Sequence, residues 1–250
     1  GGKSPAVVAP DFALDKAADR ILWAKAFNAG QICTNVDYLF LPTGSEPAFT
    51  ELALKLIAQR YPDINANDYT SIIDQRAFDR LNHTLDDAKA KGATVINLAQ
   101  GQTPDLSLRK FSPHIVLNPS ADMIISQREI FGPILPIRTY KTKEEVASYI
   151  NSHDRPLALY PFTNDKSLQK FYISHVMSGG VSVNEKKAKA AESTSTILRI
   201  EDALAMTKAE ITKLVKAHDV YVLIDRVVVK DFDEDDIHRI SDSIGTWASY

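Results

Sequence analysis

The period of the apolar positions switches repeatedly along the first three quarters of the chain. Ala6-Val7-Val8 is a short apolar run closed by Pro10, which predicts a strand. Over residues 15–29, Ala18, Ile21, Leu22, Lys25-Ala26 and Ala29 recur at near-helical spacing, and Gly30 is the expected stop. Residues 38–41 read as a strand ending at Pro42. Residues 46–60 read as a helix with Phe49, Leu52, Ala53, Leu56 and Ile57 on one face. A third helix is predicted over about 75–91, ending at Gly92 and leading into a strand at 94–98. Strands at 115–117 and 135–137, a helix at 144–151, a strand at 157–163, a helix at 168–175 and a strand at 180–184 complete the series. Such alternation predicts an α/β domain: an open, twisted, mainly parallel sheet with flanking helices.

The pattern breaks near Glu185. Residues 186–196 hold no large apolar side chain, so they have little to bury and read as a linker. Beyond them the elements are shorter. A helix is expected at 200–206, and a second at 208–217, capped by Thr207 with Ile211, Leu214 and Val215 inward. Two apolar runs, 221–224 and 227–229, flank Asp225-Arg226 as a tight hairpin would. Asp233 can cap a last helix carrying Ile237, Ile240 and Ile244. The expected division is therefore 1–185, a linker over 186–196, and a small α+β unit over 197–250.

Composition narrows the function classes. The 250 residues are 44% hydrophobic and 24% charged, which is enough for a real core. With 29 Lys and Arg against 32 Asp and Glu the net charge is −3, so no overall basic field draws the chain to nucleic acid. Cys33 is the single cysteine, which excludes a disulfide within the chain, and no Cys/His grouping has zinc spacing. No apolar run approaches the length of a membrane span, and the start is neither a methionine nor a signal peptide. These features lead us to expect a cytoplasmic piece of a longer protein.

Cys33 follows a helix and a glycine, in Asn28-Ala29-Gly30-Gln31-Ile32-Cys33-Thr34. A thiol at the edge of a loop can meet backbone N–H groups that activate it and receive an oxyanion. The same context also suits a buried cysteine acting as a small hydrophobe. Glu129 in isolation suits a solvated carboxylate at a strand start.

Four separate segments together are more specific. Gly1-Gly2-Lys3-Ser4-Pro5, residues 27–34, Glu129-Ile130-Phe131-Gly132-Pro133 and residues 178–184 resemble, in order and distance, the aldehyde dehydrogenase superfamily. The resemblance covers 1–185. Asp37-Tyr38 and Arg155-Pro156-Leu157-Ala158-Leu159-Tyr160 look most like its coniferyl aldehyde dehydrogenase branch. What the resemblance implies is a cysteine thiohemiacetal route: Cys33 attacks an aldehyde, hydride passes to NAD or NADP, and water releases the acid from a thioester. It also implies that Glu129 holds the nicotinamide ribose and that Phe131 lies against the nicotinamide. The implied substrate is a small aldehyde, an aromatic one by the branch resemblance.

Departures from the family pattern shape a further expectation. The family's general-base glutamate falls two residues before Gly1, and its nucleotide-binding domain and oxyanion amide precede that point. No GxGxxG or phosphate-binding P-loop occurs in this sequence. After Asn184 the chain leaves the family pattern at Glu185-Lys186-Lys187. The chain by itself is therefore expected to turn over aldehyde negligibly, to expose apolar patches, and to self-associate.

Residues 197–250 resemble, more weakly, the winged helix-turn-helix units of excisionases. That similarity supplies the alternative of a non-enzymatic module contacting DNA or a protein partner, with Lys208, Lys213 and Lys216 as phosphate contacts. Against DNA, residues 186–250 hold 10 Lys and Arg and 12 Asp and Glu, a net −2. Asp231, Asp233 and Asp235 alternate as calcium ligands do, but Asp236 stands where the turn needs glycine, so helix capping explains them and no metal is expected. The histidines show no i, i+4 pair, and His114 and His153 are assigned no role.

Overall fold

A computed structural model describes residues 2–184. The linker, the small unit over 197–250 and its lysine and aspartate candidates lie outside the described residues.

Seven strands form the sheet: β1 (Pro5–Val8), β2 (Tyr38–Pro42), β3 (Thr94–Asn97), β4 (His114–Leu117), β5 (Ile134–Tyr140), β6 (Ala158–Phe162) and β7 (Gly180–Val181). Their order is β3-β4-β5-β2-β1-β6-β7. All neighbours run parallel except β3 against β4. The helices are α1 (Leu14–Ala26), α2 (Glu46–Arg60), α3 (Gln75–Ala90), α4 (Ile124–Gln127), α5 (Lys143–Asn151) and α6 (Lys166–His175). This is the mainly parallel α/β architecture that the alternation predicts.

Strand side chains alternate between the two faces. Ala6, Val8, Leu39, Leu41, Ile115, Leu135, Ile137 and Phe162 pack under α1 and α2, against Ile21, Leu22, Phe49 and Ile57. Val7, Tyr38, Phe40, Tyr140 and Leu159 point the other way, to Val146 and Ile150 of α5 and Tyr172 of α6. Val116 and Ile134 join Phe78, Leu81, Leu85 and Ala88 of α3 in a third cluster. Both faces are thus covered, which is why the strands read as continuous apolar runs.

Local chemistry sets the element ends. Asp74 caps α3 by accepting from Ala77 N–H at 2.7 Å, Thr142 caps α5 through Glu145 N–H, and Asp165 caps α6 through Ser167 N–H. Several ends differ from the sequence expectation: β5 runs on to Tyr140 where 135–137 is expected, and two further differences have a visible cause. Helix α1 stops at Ala26 instead of Ala29, because Asn28 (φ 50°) and Ala29 (φ 49°) take the left-handed conformation. Strand β7 ends at Val181, yet Ser182 N–H and Asn184 N–H still donate to Leu159 and Pro161 carbonyls at 3.0 Å, so the expected 180–184 run stays alongside β6. Asn184 then turns away at φ 47°.

Candidate functional site

Among the described residues, the motif segments that drew attention in the sequence each lead into a parallel strand. Residues 2–4 lead into β1, 28–37 into β2, 128–133 into β5, 155–157 into β6 and 177–179 into β7. Parallel pairing therefore gathers them on one edge, the amino-terminal edge of the sheet.

The loop bearing Cys33 reaches that edge through a strained path. A left-handed alanine costs about 1–2 kcal/mol, and tertiary packing must hold it. Ala29 is fully buried in the cluster that contains Leu81 and Ile130. Gly30 follows at φ 75°, where a Cβ would stand 2.3 Å from the carbonyl oxygen of Gly132. At Gly132 a Cβ would meet Leu81 at 2.4 Å. Gly30 is needed because the backbones of the cysteine loop and of the 129–133 segment lie in contact, whereas Gly132 leaves room for the Leu81 side chain.

Side-chain amides then fix the loop. Gln31 Nε2 donates to the carbonyls of Asn28 and Ser71 at 3.1 Å, and its Oε1 accepts from Ile73 N–H at 2.9 Å. Asn28 Nδ2 returns a bond to the Gln31 carbonyl at 3.1 Å. Cys33, half-buried, sits in the turn closed by Asn35 N–H on the Ile32 carbonyl at 3.1 Å. The Tyr160 hydroxyl donates to the Thr34 carbonyl. Asn35 is buried, and among the described residues no hydrogen-bond partner meets its side-chain oxygen or nitrogen.

A set of charged groups surrounds these segments. Lys3 Nζ pairs with Asp37 and also donates to the carbonyls of Ile125 at 3.0 Å and Arg128 at 2.9 Å. The other Asp37 oxygen accepts from Ile130 N–H at 2.9 Å. Arg80, on α3, donates to the Ile130 carbonyl at 2.6 Å and to that of Phe131 at 3.3 Å. Lys25 is buried and donates to the Val36 carbonyl at 3.0 Å.

Burial pushes Lys25 down to about 8, with Lys3 adding to the shift while Asp37 and Glu129 oppose it. Burial also lowers Arg80, against the pull of Glu129, Asp37 and Asp74. Both cations thus sense the Glu129 carboxylate, which is itself half-buried. Phe131 is 40% exposed at φ 45°.

The structure accordingly brings the Cys33 loop and the Glu129–Phe131 segment together, through Gly30 against Gly132 and Asp37 against Ile130. Sequence reasoning passed over Gln31, Arg80 and Lys25 as members of this edge. For Lys25 a signal existed, a charged residue inside the apolar stripe of α1. His114, given no role, begins β4, and its Nδ1–H donates to the Ser112 carbonyl at 2.7 Å. Burial pushes it down to about 4, partly opposed by that hydrogen bond. Among the described residues, no group of three His, Cys, Asp or Glu could hold a metal, and no helix is long and apolar enough to cross a membrane.

An electrophile at this edge would meet a thiol on a loop whose backbone is pinned on both sides. The 129–133 segment, which meets this loop through Gly30 and Asp37, carries a carboxylate and an exposed aromatic ring and is held by Lys3, Asp37 and Arg80. Comparison with known proteins identifies the family. The model of the aldehyde dehydrogenase family matches residues 1–196. The chain is similar to the probable coniferyl aldehyde dehydrogenase of Caulobacter vibrioides, 42% identical over 188 residues that make up 74% of this chain and 39% of that protein. It is 43% identical to the coniferyl aldehyde dehydrogenase of a Pseudomonas species, with the same coverage. Among solved structures it resembles the NADP-dependent glyceraldehyde-3-phosphate dehydrogenase of Bacillus halodurans complexed with NADP. There the TM-score is 0.66 and the identity 27%, over 76% of this chain and 40% of that one. The chain thus spans about two fifths of the length of the curated relatives it matches. With four motif segments on one sheet edge and a family model that matches most of its length, this chain belongs to the aldehyde dehydrogenase family.

Proposed function

We propose that the chain supplies the cysteine-bearing part of an NAD- or NADP-linked aldehyde dehydrogenase acting on a small, aromatic, coniferyl-type aldehyde. The observation that carries this reading is the contact between the Cys33 loop and the Glu129–Phe131 segment, with Gly30 and Gly132 backbone to backbone.

Cys33 Sγ gives up its proton to water and attacks the aldehyde carbon, forming a C–S bond and placing the carbonyl electron pair on oxygen. The Cys33 backbone N–H stabilises part of that oxyanion. Collapse of that oxyanion to a thioester expels a hydride, for which a nicotinamide held beside Glu129 and Phe131 would supply the acceptor. Water then yields the acid and returns the proton to the thiol. Glu129 suits the ribose hydroxyls because an ionised carboxylate is purely an acceptor. Phe131 suits one side of the nicotinamide because its ring is exposed on a backbone that Arg80 and Asp37 hold from neighbouring elements. The residues present fit this end of the cofactor. The exposed Trp23–Phe27 stack, with ring centroids 5.2 Å apart, supports self-association through that face.

The test is competition at the thiol. Excess benzaldehyde, which lacks a conjugated alkene and so cannot add to sulfur by that route, is expected to slow alkylation of Cys33 by iodoacetamide, while benzoate leaves it unchanged. An alkylation rate indifferent to the aldehyde would overturn the reading. Steady formation of reduced cofactor by this chain would separately contradict the negligible turnover expected from the sequence.

A further inference from the structure

The backbone of one short segment, 125–131, is gripped by charged side chains from three separate elements. Lys3 comes from the residues before β1, Asp37 from those before β2, and Arg80 from α3. Two of the three also hold each other, and Asp37 belongs to the loop that carries Cys33.

The bonding of that pair is saturated. An ammonium has three donors, and those of Lys3 go to the Asp37 carboxylate, the Ile125 carbonyl and the Arg128 carbonyl. Asp37 is 4% exposed; one oxygen takes Lys3 and the other takes Ile130 N–H. Its own N–H donates to the Ser4 carbonyl at 2.8 Å. A surface ion pair would leave the ammonium in water and contribute little. Here a buried carboxylate is retained with directional bonds to two chain segments far from its own in sequence, which specifies the relative position of the three.

We propose that Lys3 and Asp37 form a positioning clamp that sets where the Glu129–Phe131 segment stands relative to the Cys33 loop. The inference rests on reading Cys33 as the nucleophile and that segment as its cofactor-facing neighbour. Neither Lys3 nor Asp37 is a catalytic residue in this account; both act through the backbone groups they hold.

The test uses the full chain and needs no turnover. Its readouts are the rate of Cys33 alkylation by iodoacetamide and hydrogen exchange at the Ile130 amide. In the unsubstituted protein Ile130 is expected to exchange as slowly as the amides of β5. Fast exchange there would overturn the clamp before any substitution is made. Asp37→Asn, nearly isosteric and chosen to fold, and Lys3→Met are each expected to speed both readouts by about tenfold, as local opening becomes easier. The double variant should go no further than either single one, because each already breaks the same unit.

Ile57→Ala, in the α2 cluster on the sheet face away from Ile125 and Ile130, supplies the control for a merely structural role. At a matched loss of Tm it should leave both readouts within about twofold. Alkylation that follows Tm equally in the control and the clamp variants, or additive effects in the double variant, would overturn the proposal. Clamp variants that move both readouts in a protein whose Cys33 ignores benzaldehyde would sustain the clamp and reject the proposed function. Aldehyde protection without any clamp effect would do the reverse.

Discussion

The two edges of one sheet are built differently. At the carboxyl-terminal edge the turns are open: a Cβ added at Gly44 or Gly92 would meet nothing within 4 Å. At the amino-terminal edge a Cβ at Gly30, Gly132 or Gly179 would stand 2.3–2.4 Å from a neighbouring atom. Polar groups divide the same way. Asp11, after β1, accepts from the Thr163 hydroxyl and from the N–H groups of Asn164 and Asp165, closing one turn against another. Lys3 and Asp37 instead tie together segments that precede different strands, while Gln31 and Arg80 tie such segments to residues 71–73 and to α3. Parallel strands bring the same kind of connection to each edge. What distinguishes the amino-terminal edge is backbone contact and buried charge, and these are features that demand a specific geometry.

Glycine substitutions test that contrast most strongly. Gly30 and Gly44 both have positive φ, so a Cβ is strained at either position. Gly30→Ala should cost about 3–5 kcal/mol, because the added carbon also runs into the Gly132 carbonyl. Gly44→Ala should cost about 1–2 kcal/mol. Denaturant titration measures both, and equal losses would remove the distinction between the edges.

Next in size is the pH response of Lys25. Its folded value of about 8 lies below its ordinary 10.5, so between them the unfolded chain holds the extra proton. Stability should therefore rise with pH from about 8 to 10.5 and lose that contribution as pH falls through 8. Lys25→Met should flatten this rise in melting curves taken across the window. An unchanged slope would mean that Lys25 does not carry it.

His114 acts in the acid range. Held near 4 against an ordinary 6.5, it contributes stability above 6.5 that is lost progressively as pH falls towards 4. His114→Gln should lessen the acid sensitivity in that interval, whatever it costs at neutral pH. A slope identical to the parent's would refute this assignment.

The smallest effect belongs to the exposed carboxyl-edge turn. Burial is the largest single influence on Asp11 and raises it, but the Thr163 hydroxyl and the Asn164 and Asp165 amides together outweigh it and hold the carboxyl below its usual range. Its contribution is present above 3.8 and falls away below that value. Asp11→Asn should cost less than about 1 kcal/mol at neutral pH. Chemical denaturation of this variant beside Asp37→Asn would show whether the amino-terminal edge is the more sensitive one.

Much of the fold was legible because burial on both sheet faces leaves a plain record in the strands, and α2 spans the residues its apolar spacing marks out. Helix α1 was overextended for a physical reason: Ala29 suits a helix, but contact between Gly30 and Gly132 forces it left-handed. That contact involves a segment a hundred residues away and leaves no local trace. Among the inward positions of α2, Leu52 and Leu56 are only half-buried, while Phe49, Ala53 and Ile57 form its buried face. At the candidate site, Cys33, Glu129 and Phe131 stood out through motif words rather than periodicity. Gln31, Arg80 and Lys25 escaped because their partners are backbone groups, which every residue type presents alike.

The most direct measurement is acylation of Cys33 by p-nitrophenyl benzoate, followed by mass spectrometry of the modified peptide, with Cys33→Ala alongside. Sulfur attack expels p-nitrophenolate and leaves a benzoyl thioester, so no hydride acceptor is needed. The account predicts a thioester at Cys33, forming faster than on a simple cysteine peptide, and none in the variant. Acylation no faster than on that peptide, or equal p-nitrophenolate release by both proteins, would contradict it.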